Sequence, residues 1–170
     1  MVIRQAKPDD AYAVESIRTR GWQIAYRHVF PPAELDALPI DETRWRQRFR
    51  MPPRGWATFV AERDGDVIGF ASVGPSRDDE ELGELYAIYV DPDAWSEGAG
   101  RALLERAEET LAASYDDAML WVLSDNPRAR RFYEHAGWEP DGTEKVEKRF
   151  GVSAAETRYR KRFSTSRSRS

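Results

Sequence analysis

The sequence contains no cysteine and only two histidines, His28 and His135. The lack of cysteine excludes disulfides, thiolate metal sites and a cysteine nucleophile. Because the two histidines lie far apart along the chain, a histidine-rich metal site is not expected, and we predict that no metal is bound. A serine-histidine-aspartate triad is not indicated either, since no GxSxG segment stands near a histidine.

Long apolar runs are also lacking, and no segment approaches the roughly 18 residues that a membrane-spanning helix needs. The N-terminal segment MVIRQAKPDD has no apolar core of the kind that signal peptides carry. We therefore expect a cytoplasmic protein without a membrane partner. A chain of 170 residues is about right for one domain, and it can bury roughly 70% of its unfolded surface.

The formal net charge of −4 does not suggest a nucleic-acid-binding protein. The charge is unevenly distributed, because the segment RDDEELGE at 77–84 is acidic while residues 157–170 contain six Lys or Arg and no acid. We expect residues 1–163 to form a single domain and the last seven residues, STSRSRS at 164–170, to be a disordered basic tail. This tail leaves a nucleic-acid-associated protein open as an alternative, although nucleic acid is not the expected partner.

The hydrophobic periodicity predicts one strand, several helices, three strands, a helix, a strand, a helix and two final strands. Gly21 is expected near the end of the first helix, and a second helical stretch, GWQIAYRHVF, is expected to begin there. Asp64-Gly65 is typical of a hairpin turn between two strands. Asn126 is predicted to cap the last helix, with Pro127 in its first turn. This order of elements predicts an α/β (α+β) domain built on one central sheet.

The segment WSEGAGRA at 95–102 stands between a predicted strand and the clearest predicted helix. Glycines allow close approach of the backbone to a ligand, and the first amides of a helix attract anions. A tight turn without any ligand is the alternative interpretation. A dinucleotide-binding fingerprint would need a third glycine where Leu103 stands, and a P-loop would need Lys and Ser or Thr after Gly100. Both of those motifs are therefore excluded.

A second segment, SDNPRARRFYEHAGW, follows the glycine pair by one predicted helix and one predicted strand. Together with VDPDAWSEGAGRALL, it resembles the two signature segments of the GNAT superfamily of N-acetyltransferases, over roughly residues 84–142. The resemblance implies the GNAT fold, a mixed and mostly antiparallel sheet of about seven strands flanked by helices. It also implies a splay between strands four and five that holds acetyl-CoA as the cosubstrate.

The resemblance further assigns residues to the cofactor site. A strand end would pair with pantetheine, a loop would bind the pyrophosphate, and an asparagine would lie near the cofactor. These positions are Ile88, Tyr89 and Val90, then Ser96, Glu97, Gly98, Ala99, Gly100 and Arg101, then Asn126. Tyr133, seven residues after the asparagine, matches the tyrosine that commonly protonates the departing thiolate.

Three positions depart from the family pattern. Trp95 stands where Gln or Arg is usual, and Glu97 adds a negative charge beside the expected phosphate site. We therefore expect cofactor affinity to depend on the helix N-terminus and Arg101. Members that acetylate ribosomal proteins carry a glutamate base where this chain has Trp121, so that class of acceptor is less expected.

Amine acetylation requires a proton acceptor, because an alkylammonium has a pKa near 10.4 and must lose its proton before attack. Direct transfer to an unperturbed glutamate, with a pKa near 4.3, is uphill by roughly six units or about 8 kcal/mol. Glu84 matches the position of the base in histone-acetylating members, and it is our predicted base. On a regular strand, Glu84, Tyr86, Ile88 and Val90 would share one face. A solvated acid at the strand edge is the alternative.

Tyr133 is predicted to be the general acid, since a tyrosine with a pKa near 10 can protonate a thiolate whose pKa is near 8.5. Its place in an apolar helical stripe leaves a plain core role as the alternative. For the acceptor, Trp22, Tyr26, His28 and Phe30 are offered by the first helices. Aromatic rings there would suit a cation or an apolar amine, and ordinary core packing is the alternative.

We therefore predict an acetyl-CoA-dependent N-acetyltransferase that acts on a primary amine of a small molecule or peptide. The alternative is a non-catalytic acyl-CoA-binding or sensing GNAT module. Dimers are common in the superfamily, so the resemblance leaves a homodimer open.

Overall fold

The computed structural model of the chain describes residues 1–163. Within this range the strands are β1 (Val2–Gln5), β2 (Ala57–Arg63), β3 (Asp66–Pro75), β4 (Gly83–Val90), β5 (Asp117–Leu123), β6 (Glu139–Arg149) and β7 (Val152–Arg162). The α-helices are α1 (Ala11–Ala25), α2 (Pro32–Asp36), α3 (Thr43–Arg50), α4 (Ala99–Ala112) and α5 (Pro127–His135). The predicted tail, residues 164–170, lies outside the described residues.

The strands form one sheet in the order β1-β2-β3-β4-β5-β7-β6. Neighbouring strands are antiparallel except for β4 and β5, which are parallel. The β4–β5 pairing covers only Gly83 with Ala118 and Glu84 with Met119, so the two strands separate over the rest of their length. The predicted mixed, mostly antiparallel sheet with a splay between strands four and five is therefore confirmed.

Helices cover both faces of the sheet, which we call the back face and the front face. On the back face, α4 contributes Leu103, Leu104, Ala107 and Leu111 to the largest apolar cluster, which Tyr133 of α5 also joins. On the front face, α1 and α3 pack against the sheet through Val14, Ile17 and Trp45. The splay opens between these two layers, so a ligand inserted there would contact both.

Gly21 does not end the first helix, because α1 continues through it to Ala25. A Cβ atom at Gly21 would lie 2.9 Å from Cδ1 of Tyr89. The glycine is therefore explained by the close packing of α1 on β4. The prediction of a helix end at this position is wrong, since the required contact is tertiary and leaves no local sequence signal.

An irregularity in β4 changes which of its residues share a face. Ser72 pairs with Ala87 and Val73 with Leu85, so Tyr86 is an extra residue in the strand. Ile88 and Val90 pack against the back-face cluster, whereas the ring of Tyr86 covers Gly74, the strand partner of Glu84.

Glu84 and Tyr86 therefore point to the front of the sheet, and Ile88 and Val90 point to the back. The prediction that all four share one face is wrong. A β-bulge shifts the two-residue alternation of a strand by one position.

Candidate active site

A cavity of about 600 Å³ occupies the splay between β4 and β5. Its walls come from α1 on the front, from the end of β4, from the segment between β4 and α4, and from the start of α5 on the back. The front-facing residues of β5, β6 and β7 complete it. One continuous space therefore joins the glycine-containing loop to the aromatic and charged residues of the front face.

The loop before α4 exposes backbone amides to this cavity. Ser96 and Gly98 both have left-handed backbones, with φ of 68° and 88°. Gly98 is the N-cap of α4, and no side chain among the described residues caps the helix there. The first amides of a helix lack intrahelical partners and carry a partial positive charge. A Cβ atom on Gly98 would meet nothing within 4 Å, so the loop leaves room for an anion.

Trp95 positions a basic residue although it is not basic itself. Its Nε1 donates a hydrogen bond to the carbonyl oxygen of Val90 at 2.9 Å, and the guanidinium of Arg128 lies 3.4 Å from its ring centre. Arg128 lines the cavity, and within residues 1–163 it forms no salt bridge with a carboxylate. The sequence analysis did not propose Arg128 as a site residue. Its position in the first turn of α5 is the local feature that could have indicated it.

The negative charge of Glu97 is compensated, because its carboxylate forms an ion pair with Arg63 at the end of β2. Glu97 does not line the cavity. Arg101 lines it, although its guanidinium also bonds to Glu105 one turn along α4 at 3.1 Å. The loop can therefore accept an anion in spite of the acid within it.

The end of β4 offers backbone groups to the same cavity. Pairing with β5 stops at Glu84, so the β5-facing edge of residues 88–90 has no strand partner in the described part of the chain. Tyr89 is fixed from the front, where its hydroxyl accepts a hydrogen bond from Nε1 of Trp22 at 2.8 Å. Burial raises the pKa of Tyr89. An extended ligand could therefore pair with this edge.

Tyr133 lies on α5 and lines the cavity, with 9% of its surface exposed. Burial, and to a smaller extent the neighbouring Tyr89, raises the pKa of its hydroxyl well above the ordinary tyrosine value. The helix is fixed at its start by Asn126, whose Oδ1 accepts a hydrogen bond from the amide of Ala129 at 3.2 Å. Tyr133 therefore stays protonated at neutral pH and can act only as a proton donor there.

Glu84 is held away from the cavity. It is 1% exposed, and its carboxylate accepts hydrogen bonds from Nε and Nη2 of Arg77 at 3.1 and 2.9 Å and from the Arg77 amide at 3.2 Å. Arg77 lines the cavity, whereas Glu84 does not. Glu84 therefore stays a prediction as the base, and it could reach a substrate only if this pair opened.

The front mouth of the cavity combines aromatic and charged walls. Trp22, Tyr26 and Phe30 line it and contact one another, with Trp22 and Phe30 stacked at 5.9 Å, whereas His28 does not line it. The mouth is also lined by residues that the sequence analysis did not propose as site residues. These are Trp121 of β5, Lys145, Glu147 and Arg149 of β6, and Glu156 of β7.

Residues 16–138 match the Acetyltransferase (GNAT) family. The chain belongs to the GNAT acetyltransferase family. It is 35% identical over 133 residues to the uncharacterized N-acetyltransferase YuaI of Bacillus subtilis, covering 75% of this chain and 74% of that protein. It is 44% identical over 138 residues to a mycothiol acetyltransferase of Beutenbergia cavernae, covering 74% of this chain and 46% of that protein.

Solved structures agree with the GNAT fold. The ribosomal-protein-alanine N-acetyltransferase from Brucella melitensis superposes with a TM-score of 0.76 at 26% identity, covering 96% of this chain and all of that one. The structure of yncA from Salmonella typhimurium with its cofactor acetyl-CoA has a TM-score of 0.77 at 21% identity, covering 100% of this chain and 98% of that one. At that identity the second likeness shows the fold alone. The predicted family, fold and GNAT-type enzyme class are confirmed.

The GNAT fold brings most of the predicted site residues to one cavity. Those that line it are Ile88, Tyr89, Val90, Ser96, Gly98, Ala99, Gly100, Arg101, Asn126 and Tyr133. Their roles stay predictions. Over residues 1–163, no helix is long and apolar enough to span a membrane, and no group of three or more His, Asp or Glu side chains is placed to hold a metal ion.

Proposed function

We propose that this GNAT protein transfers the acetyl group of acetyl-CoA to a primary amine of a small molecule or peptide. The observation that carries the proposal is the continuous cavity through the splay, which joins an anion-binding loop, a buried tyrosine and a polar front mouth. Acetyl-CoA supplies a thioester whose carbonyl carbon an amine can attack. The name N-acetyltransferase carried by the Bacillus subtilis relative supports an amine as the acceptor.

The residues around the back of the cavity fit a coenzyme A molecule. A pyrophosphate would be held by the unpaired amides at the start of α4, with Arg128 and Arg101 adding positive charge. The unpaired edge of residues 88–90 would bond to the amides of the pantetheine arm, as a further strand would. This arrangement would direct the thioester into the splay, towards the front mouth.

Tyr133 would supply the proton that the leaving sulfur needs. Its raised pKa keeps the hydroxyl protonated. Because even an ordinary phenolate, with a pKa near 10, is a stronger base than a thiolate with a pKa near 8.5, the transfer is uphill, and the raised pKa adds to that cost, so the proton would pass to the sulfur as the S–C bond breaks. Asn126 fixes the first turn of α5, so it would act on Tyr133 by positioning the helix.

Thiol release tests the proposal directly. The chain has no cysteine, so a thiol reagent detects only the coenzyme A that is produced. Acetyl-CoA would be incubated with a panel of amines that includes lysine-containing peptides, polyamines, aminoglycosides and 2-phenylethylamine. We expect amine-dependent release with at least one of them and an acetylated product of the matching mass. Binding of coenzyme A without release for any amine would favour a sensing module instead.

A further inference from the structure

The register of β5, β7 and β6 places a carboxylate beside the front mouth of the cavity. Glu156 of β7 pairs with Leu123 of β5 on one side and with Lys145 of β6 on the other. Trp121 lies two residues before Leu123 and points to the same front face, where it also lines the cavity. Glu156 therefore faces the region where the family resemblance would put a glutamate and where this chain has a tryptophan.

The carboxylate of Glu156 has an acceptor atom with no donor. Its side chain is 17% exposed, and its Oε2 is buried without a hydrogen-bond partner within residues 1–163. Nζ of Lys145 forms an ion pair with that oxygen at 3.6 Å, a distance that is too long for a hydrogen bond. A buried acceptor that lacks a hydrogen-bond donor has a free-energy cost that an incoming N–H donor would remove. Glu84 offers no such atom, because both of its oxygens are bonded to Arg77.

The burial of Glu156 favours proton uptake at this carboxylate. Burial raises its pKa most, the negative charge of Glu147 raises it further, and Lys145 and Arg149 lower it by less. A carboxylate with a raised pKa is a stronger base for an ammonium proton than an ordinary glutamate. The other neighbours on this face are Trp121 and Leu123 of β5 and Arg158 of β7, whose guanidinium is 6.0 Å from the Trp121 ring centre.

We propose that Glu156 binds the acceptor ammonium and is the general base of the reaction, a role that rests on the proposed amine acetylation. Of the two protons that the amine nitrogen loses, Glu156 takes one and releases it to solvent. Tyr133 gives a proton to the sulfur and regains the second one from the nitrogen. The new N–C bond replaces the S–C bond, so atoms and charge balance, with one proton released per turnover.

The aromatic residues of the cavity that contains Glu156 define the class of amine. Trp22, Tyr26 and Phe30 form an apolar wall of the same cavity and pack in one cluster with Leu123, the β5 partner of Glu156. An amine that carries an aromatic or aliphatic group could place that group on the wall and its nitrogen at Glu156. Within the proposed function, the favoured acceptor is therefore an amphiphilic primary amine, with 2-phenylethylamine as a suitable probe.

The main test compares Glu156→Gln with Glu144→Gln, a control on the exposed side of β6 that does not line the cavity. We expect the Glu156 variant to lose about 100-fold or more in kcat/KM for the amine and to lose the acidic limb of the pH profile. Coenzyme A affinity and thermal stability should match those of the control. A Glu156 variant that keeps the wild-type limb and rate would overturn the assignment.

Two neighbouring variants should move the acidic limb in opposite directions. Lys145→Met removes a charge that lowers the pKa of Glu156, so the limb should move to higher pH. Glu147→Gln removes a charge that raises it, so the limb should move to lower pH. If both variants left the limb unchanged, the titrating group would be a different residue and the proposal would fail.

A binding measurement separates this assignment from the proposed function. Calorimetry would follow 2-phenylethylamine binding to the coenzyme A complex of the wild type and of Glu156→Gln. A loss of affinity of about tenfold or more in the variant supports contact between the amine and Glu156 even if no amine is turned over. Equal affinity, or no binding to the wild-type complex, would overturn it, whereas a failure of the proposed function would appear only in the thiol-release assay.

Discussion

The guanidinium of Arg128 lies 3.4 Å from the ring centre of Trp95. This contact joins the first turn of α5 to the loop that precedes α4, and the same indole is fixed to the end of β4 by its hydrogen bond to Val90. Planar guanidinium groups stack well on tryptophan. Trp95 stands where a basic residue is usual. It nevertheless holds a positive charge beside the loop, because Arg128 of α5 stacks on its ring.

Replacement of Arg128 should weaken cofactor binding. We expect Arg128→Met to raise the Kd for coenzyme A by about tenfold or more, because a hydrogen bond to a charged group stabilises by about 1.5–3 kcal/mol. The remaining affinity should also depend less on salt, since one charge–charge interaction is lost. Calorimetry at two salt concentrations measures both effects. Arg131→Met is the control, being exposed on the same helix and outside the cavity, and equal Kd values for the two variants would contradict the prediction.

Removal of the Tyr133 hydroxyl should affect turnover more than binding. We expect Tyr133→Phe to lower kcat by about 100-fold and to leave the Kd for coenzyme A nearly unchanged. Burial raises the pKa of Tyr133, so its hydroxyl stays protonated at every pH below the ordinary tyrosine pKa. Activity should therefore not fall through ionisation of Tyr133 below about pH 10. Steady-state kinetics would be compared with Tyr12→Phe, an exposed position on α1. Full kcat in the Tyr133 variant would exclude the acid role.

Removal of the negative charge of Glu84 tests whether this residue stabilises the fold or acts as the catalytic base. We expect Glu84→Gln to lower the free energy of unfolding by about 1–3 kcal/mol, because it weakens two hydrogen bonds of a buried carboxylate. Since Glu84 faces Arg77 rather than the cavity, the acidic limb of the pH–rate profile should persist. Denaturant unfolding and kinetics would be compared with Glu81→Gln, an exposed neighbour. Loss of the limb would instead establish Glu84 as the base that the sequence predicts.

The parts of this protein that could be predicted are those encoded over short distances. The order of elements, the Asn126 cap and the glycine loop all depend on residues within a few positions of one another, and the structure shows each of them. The splay followed from the family resemblance, and the strand pairing confirms it.

The remaining features depend on contacts between distant segments. The extra residue at Tyr86 is visible only from the pairing of β3 with β4, and it changes the face on which Glu84 lies. Arg128 of α5 contacts Trp95 in the loop before α4. The position of Glu156 at the front mouth depends on the register of β5, β7 and β6. No local pattern fixes such a register, so these site residues required the three-dimensional structure.

Two glycines with nearly equal φ angles allow the contribution of the loop backbone to coenzyme A binding to be separated from its effect on stability. Gly98 and Gly142 have φ of 88° and 87°, and a Cβ atom on either would meet nothing within 4 Å. Alanine at either position should therefore cost about 1–2 kcal/mol of stability through the left-handed backbone alone. Gly98 lines the cavity at the start of α4, whereas Gly142 lies in β6 away from it.

We expect Gly98→Ala to weaken coenzyme A binding, because relaxation of the strained backbone would turn the amides of the loop away from the anion. Gly142→Ala should bind coenzyme A as the wild type does, at a similar loss of stability. Thermal unfolding and calorimetry on both variants measure the two effects separately. If Gly142→Ala weakened binding as much as Gly98→Ala, general destabilisation would explain the loss, and the backbone of the loop would not be the anion site.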